Sequence, residues 1–394
     1  MTPAARTQAA IELLDQIILA ARDGGASADV LIQRGFAARR YAGSKDRRAI
    51  RALVYDAIRL CGERPESGRA ALLALAAGDP ALASTFDDSP YGPPPMVVGE
   101  PVADTGIAPA WLIAALALSG IDTDQAAALL DRAPLDLRVN TLKADVAQVR
   151  AALPEALPID GIGAALRLPP DTPVEKTQPY RDGWIEVQDA GSQIVTLAAG
   201  AQPGMRVVDL CAGGGGKTLA LAAAMANRGD LLATDSDRPR LSRLLPRAER
   251  AGVSTVETRL LDPGREAEPL ADWAGAADVV LIDAPCSGTG TWRRNPEARW
   301  RLTPARLAKL VETQARLLDV GAALVRPGGT LVHIVCSLLD AEGAGQVEAF
   351  LARHPCWAAA PLALPLGTPH GSGMRLTPLS HSTDGFFVAK LVRA

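Results

Sequence analysis

The sequence predicts an α/β protein built on a doubly wound parallel sheet, with an all-α domain and a small α+β module ahead of it. Three observations carry this. From Met205 onward, short runs rich in Val, Leu and Ile alternate with longer stretches of helical periodicity, the pattern of parallel strands crossed by helices on both faces. Val279, Val280, Leu281 and Ile282 form an unbroken apolar run, as a strand buried on both faces requires, and the run ends in Asp283. The first 78 residues or so show helical spacing alone.

A length of 394 residues leaves room for two or three domains. A net charge of −3 argues against a wholly basic nucleic-acid coat, although a local patch can still bind phosphate. The five cysteines include no CxxC pair, which argues against a disulfide framework and a zinc site. No metal is expected, and a reducing cytoplasm fits best. The first residues lack the apolar core of a signal peptide, and no stretch approaches a membrane span.

Taken in order, Ile11, Leu14, Ile17 and Ile18 recur at helical spacing, as do Ala49, Leu53, Val54 and Ile58. Between them, residues 36–51 carry six basic side chains against one acid, either a solvated face or a phosphate-contacting patch. Residues 79–109, with Pro93, Pro94 and Pro95, read as a surface loop or partly disordered connector. A helix over Trp111–Leu130 completes a first domain of residues 1–132. Residues 133–200 form the α+β module, with an extended run in 134–144, a helix to Leu153 and strands at 165–168 and 184–187. Residues 201–394 form the sheet domain, with strands expected at 206–210, 231–235, 255–260, 278–283, 330–335 and 386–391. The helices between them are expected at 217–227, 238–251, 304–325 and 343–354.

The chemistry is expected at the carboxyl ends of these strands, where open α/β sheets bind ligands. The first strand runs into Cys211, Ala212, four glycines (Gly213, Gly214, Gly215, Gly216) and Lys217. Glycines let backbone approach a ligand closely, and the following helix start offers free N–H groups, so a nucleotide-like ligand is expected. A phosphate-binding P-loop needs Gly where Cys211 stands, and a ligand-free tight turn is the other alternative. Asp235 ends the second strand, where an acid can hold ribose hydroxyls. Asp262 follows the third, as an adenine-edge contact or a turn acid. Cys286 and Cys336 follow two further strands, and adjacent parallel strands would bring them together despite 50 intervening residues. Arg293 and Arg294 would add positive potential that favours thiolate. The arginines of 293–306 and of 238–250 would together make a basic rim.

These motifs, CAGGGGKT, DAPCSGTGTWRRNPE, VCSLLDAEG and DGFFVAKLVR, resemble those of the Sun-type RNA (cytosine-5) methyltransferases. PLDLRVNTLKA and VQDAGSQ resemble that family's RNA-binding insert. SKDRRAIRALVYDAIR resembles the NusB-like helical domain of the bacterial small-subunit ribosomal RNA enzymes, methyltransferase B. The resemblance implies a Rossmann-like class I methyltransferase fold, S-adenosylmethionine as methyl donor, Cys336 as nucleophile and Cys286 assisting product release. It also assigns Cys211 to Lys217, Asp235, Asp262 and Asp283 to the cofactor, with Asp283 at the base's polar edge. Arg293, Arg294 and Asn295 are candidate RNA contacts. Gly213 and Gly214 stand where the family usually has Ala and Pro, which predicts a looser loop; Val335 replaces a Thr and Gly343 an Asn.

The expected function is methyl transfer to cytosine C5 in RNA, foremost small-subunit ribosomal RNA, by a cytoplasmic monomer that engages no membrane. A cytosine must leave its stack to meet a thiolate, so single-stranded or looped RNA is the natural substrate. The alternatives are a non-catalytic RNA-binding assembly factor, a tRNA cytosine-5 methyltransferase, and a DNA enzyme with Cys286 as nucleophile.

Overall fold

The computed structural model describes residues 1–394, which divide into two compact units. The first comprises Met1–Asp131 together with Thr291–Pro304, and the second Arg132–Gly290 together with Ala305–Ala394. Two expected boundaries therefore shift: the α+β module joins the sheet in one unit, and fourteen residues of the expected sheet domain belong to the helical unit.

The helical unit is built as its periodicity requires. Helix Pro3–Asp23 starts at Thr2, whose hydroxyl accepts from the Ala5 N–H, and stops at Gly24 in the left-handed region. It buries Ile11, Leu14, Ile17 and Ile18. Helix Ser44–Leu60 buries Ile50, Val54, Ala57 and Ile58, leaving Leu53 half-buried. The basic stretch between them is partly neutralised, since Arg39 pairs with Glu12 and Arg51 with Asp29, while its own acid, Asp46, is taken by Arg6. Arg40, Lys45 and Arg48 are exposed. The proline loop has a defined path, with a helical turn at Pro80–Ala83 and Arg69 donating to the Pro94 and Pro95 carbonyls. The expected helix over 111–130 is two, Ala110–Leu118 and Thr123–Ala128, broken at Gly120 where φ is 76°.

Residues 291–304 overturn part of the expected basic rim. Arg299 is wholly buried and donates to the Ile58 and Cys61 carbonyls at 2.6 and 2.9 Å and to Pro296. Arg301 donates to the Gly25 and Ala26 carbonyls, and the Trp300 indole N–H to Cys61. These cations satisfy carbonyls at and beyond helix C-termini, where positive charge is favoured. Arg299 is structural and does not face solvent as a phosphate patch would, while Arg301 is half-buried.

In the second unit, β1 (Leu135–Val139), β2 (Leu157–Pro158), β3 (Ala165–Leu168) and β4 (Ile185–Val187) form an antiparallel sheet of order β2-β3-β1-β4. The large sheet contains β5 (Arg206–Asp209), β6 (Asp230–Asp235), β7 (Val256–Leu260), β8 (Ala277–Asp283) and β9 (Val325–Val335). It continues with β10 (Trp357–Ala360), β11 (Thr368–His370), β12 (Gly373–Leu376) and β13 (Phe386–Arg393). The order is β11-β12-β13-β9-β8-β5-β6-β7, with β10 also on β13. Strands β7, β6, β5, β8 and β9 are parallel and β13 is reversed.

Strand residues alternate between two cores, as a doubly covered sheet demands. Val207, Val279, Leu281 and Val332 point into one, Val208, Val280, Ile282 and Leu331 into the other. The chain steps outward from β5 to β7 and then returns to β8, so the reversal falls between β5 and β8. Helix Pro304–Leu324 lies against β8 and β9 at Gly321, where a Cβ would come within 2.8 Å of Ile282 and 2.9 Å of Leu331. The expected helix over 238–251 is two short pieces, Arg238–Leu241 and Leu244–Ala251. Pro246 has no N–H to give the Ser242 carbonyl, so the helix restarts with proline in its first turn. No helix is long and apolar enough to cross a membrane.

Replacing Arg299 by Ala is expected to destabilise the protein by about 3 kcal/mol, because several buried carbonyls lose their donor together. Urea unfolding checks this; an unchanged midpoint would show that those carbonyls find other donors.

Candidate active site

At the sheet's carboxyl edge a cleft of about 780 Å³ is lined by the glycine turn, by Asp235, Asp283, Cys286 and Cys336, and by Gln188 and Ser192 from the segment entering the sheet unit. Its floor is set by β5. Asp209 is wholly buried and accepts from the Thr218 hydroxyl at 2.6 Å; burial pushes its carboxyl up to about 7. The turn follows, and Gly215 takes φ 87° with its missing Cβ 2.7 Å from Leu244, so only glycine fits there.

The looseness predicted for Gly213 and Gly214 is not what the structure shows. The Gly213 N–H donates to Asp235 at 2.7 Å, the Ala212 N–H to Thr234 and the Gly215 N–H to Ala212. The Arg247 guanidinium donates to the Gly214 carbonyl and pairs with buried Glu186 of β4, which also takes Arg250. The small module thus braces the turn.

Asp235 also accepts from the Asp237 N–H at 2.7 Å, and a carboxylate's remaining lone pairs can take further hydroxyls. Beyond β7, Leu261, Pro263 and Glu266 line the cleft while Asp262 is exposed on the turn. Lys217 is buried and donates to Asp283 at 2.7 Å, its ammonium 5.6 Å from the Phe386 ring centre. Burial alone would push that ammonium down, but Asp283 overrides it and the net direction is up. Burial holds the Cys211 thiol well above its ordinary value, with Asp209 and Asp235 adding to the effect.

The two sulfur atoms of Cys286 and Cys336 lie 3.3 Å apart. Strand register explains it: Asp283 stands opposite Ile334 in the parallel pair β8–β9, so both loops leave the sheet at one level. The Cys286 thiol is held well above its ordinary value by its hydrogen bond to Cys336, then by burial and by the charges of Cys336 and Glu342. Each cysteine is followed by a serine, and the Ser287 and Ser337 hydroxyls are 3.1 Å apart. Buried Glu342 accepts the Ser287 N–H at 2.8 Å, the Ser287 hydroxyl, and the Gln314 amide at 3.0 Å. Gln314 also donates to the Pro285 carbonyl. Sequence reading missed this network, although the repeated Cys-Ser pair was a signal for it.

Arg293, Arg294 and Asn295 are not among the residues lining this cleft. They belong to the helical unit, with Arg293 buried, and the cleft's own cations are Lys217, Arg240, Arg306 and Arg316. No histidine lines it; His333 is buried, its Nε2 2.9 Å from the Glu342 carbonyl, and burial pushes it down.

Sheet order, reversed β13 and glycine turn together define a Rossmann-like methyltransferase domain. Comparison agrees: a family model described as 16S rRNA methyltransferase RsmB/F matches residues 196–392, and the chain belongs to that family. The motif resemblance is thereby borne out. The chain is 37% identical over 287 residues to a probable ribosomal RNA small subunit methyltransferase B of Synechocystis sp., covering 69% of this chain and 63% of that one. It is 38% identical over 231 residues to the ribosomal RNA small subunit methyltransferase B of Salmonella typhi, covering 58% and 52%. The chain thus spans about half to 63% of the length of these curated relatives. The crystal structure of PH0851 shares the fold over 99% of both chains, with TM-score 0.78 at 24% identity.

Asp209 gives a pH signature. Its folded pKa lies above the unfolded value, so its contribution to stability is complete below about pH 4 and is lost as pH rises through about 7. Asp209→Asn, which keeps an acceptor for Thr218, is expected to flatten the stability profile between those limits. Urea midpoints at pH 4 to 8 check it; an unaltered slope would place Asp209's titration elsewhere.

Proposed function

We propose that the chain methylates C5 of a cytosine in RNA, most directly small-subunit ribosomal RNA, through a bond from the Cys336 sulfur to C6. S-adenosylmethionine supplies the electrophilic methyl group. The cleft fits that donor in size and chemistry: a glycine turn leading into a helix, an acid at the end of β6, and polar Gln188 and Ser192 beside it. In this reading the glycine turn and Asp235 hold the donor, with the Leu261–Asp262 turn at its adenine edge.

Cytosine C5 is a poor nucleophile. Addition of Cys336 at C6 shifts electron density to C5, which can then take the methyl group. Asp283, oriented by Lys217, meets the polar edge of the base and offsets the charge that develops as sulfur adds. Loss of the C5 proton returns its electron pair to the ring and expels the Cys336 sulfur, with Cys286 in contact to assist. The observation that carries this reading is the pair of thiols 3.3 Å apart beside the glycine turn. The relatives' names support ribosomal RNA as the substrate, and the exposed Arg40, Lys45 and Arg48 support RNA binding by the NusB-like helical unit of a monomer.

Labelled S-adenosylmethionine and bulk RNA from cells lacking this gene test the proposal. The protein should add label at one position that bisulfite sequencing reads as 5-methylcytosine, and Cys336→Ala should lower the rate by roughly 10³-fold or more. Undiminished transfer by Cys336→Ala would overturn it, and absence of transfer by the intact protein would favour an RNA-binding assembly factor.

A further inference from the structure

Two thiols in contact share one negative charge more readily than they carry two, because like charges at that distance repel. Where the charge rests decides which sulfur can attack. The pair is alike in chain setting, with Cys336 one residue and Cys286 three residues beyond the end of a parallel strand and each followed by a serine. The polar surroundings differ. Glu342, carried by the segment after Cys336, turns its carboxylate to the Cys286 loop: it accepts the N–H and the hydroxyl of Ser287, the residue next to Cys286, and the Ser287 hydroxyl in turn meets that of Ser337. Lys217 donates to Asp283, and its ammonium feels the charge of Cys336.

Glu342 is also placed to fix the loops in space. Gln314 donates to both Glu342 and the Pro285 carbonyl, so helix Pro304–Leu324 clamps the carboxylate and the Cys286 loop together. Thr289 continues the bridge, meeting the Ser337 hydroxyl at 3.1 Å and accepting the Leu338 N–H at 2.9 Å. A wholly buried carboxylate is costly and persists where donors satisfy it.

We propose that Glu342 is a positioning residue that ties the two cysteine loops together and decides which thiol attacks, keeping the proton on Cys286 and leaving the charge to Cys336. The charged and titratable groups around the Cys286 sulfur are Cys336 in contact, Glu342 through Ser287, and Lys217, Asp283, Arg306 and Arg316 lining the same cleft. The upward displacement of the Cys286 thiol, to which Glu342 contributes, is consistent with this. The inference rests on the proposed methyl transfer for its purpose, but its central test does not.

The test is the pH dependence of iodoacetamide alkylation, read separately at each cysteine by peptide mapping of the full chain. In the native protein Cys336 should react at lower pH than Cys286. In Glu342→Gln the Cys286 midpoint should fall by about one pH unit or more, and methyl transfer should drop roughly 10²-fold with its pH profile displaced. Glu342→Asp, which keeps the charge, should leave Cys286 nearer its native midpoint and restore part of the transfer. An unmoved Cys286 midpoint in folded Glu342→Gln, or equal loss in Asp and Gln variants, overturns the inference. If Glu342→Gln does not fold, Ser287→Ala tests the bridge: transfer should slow while Cys286 keeps its native midpoint, and an unchanged rate overturns it. Alkylation needs neither RNA nor methyl donor, so failure of the intact protein to methylate would overturn the proposed function and leave this test standing.

Discussion

The site depends on one pairing, the parallel alignment of β8 with β9. Asp283 lies opposite Ile334, so a slip of one residue would turn each strand's core residues to the wrong face and move one cysteine away from the other. Register is held because both faces are buried, with Val280 and Ile282 in one core and Leu281 and Val332 in the other. Gly321 lets the following helix settle on this seam, and that helix carries Gln314 to the cysteine loops. The contact between Cys286 and Cys336 is therefore a consequence of sheet packing, since each cysteine follows closely on the end of its strand.

Around that contact, burial sets the protonation states. Cys211 lines the same cleft, and burial, with the charges of Asp209, Asp235 and Asp283 adding to it, holds its thiol well above its ordinary value. Lys217 keeps its proton because Asp283 outweighs the cost of burial. The cleft thus holds three cysteines in different electrostatic settings. The small module takes part as well: Glu186 of β4 orients Arg247 onto the glycine turn, while buried Arg138 of β1 donates to Gln188 at the cleft. The covalent order of the chain would have suggested a separate appendage, yet its Gln188 and Ser192 line the cleft.

Much of the fold was legible because it depends on patterns with one physical meaning. Continuous apolar runs ending in Asp209, Asp235 and Asp283 specify parallel strands, and the observed ends agree within a residue or two. The approach of Cys286 to Cys336 was legible for the same reason, since equivalent ends of adjacent strands must meet. What was not legible lay in tertiary partners. Arg299 reads from sequence like any cation in a basic run, and only the carbonyls of residues 58–61 reveal it as a buried donor. Glu342 stands six residues past Cys336, and its hydrogen bonds come from Ser287 and Gln314, which no local pattern connects to it. Gly213 and Gly214 predicted freedom, because a backbone propensity says nothing of Arg247 closing on them from 33 residues away.

The central claim is that the later of two touching thiols makes the bond to the pyrimidine. RNA carrying 5-fluorocytosine tests it most directly, because fluorine cannot leave C5 as a proton does and the enzyme–RNA bond persists after methyl transfer. Digestion and mass mapping should then find the nucleotide on the peptide that contains Cys336. Its recovery on the peptide containing Cys286, or the absence of any stable bond while methylation of ordinary RNA proceeds, would contradict the account.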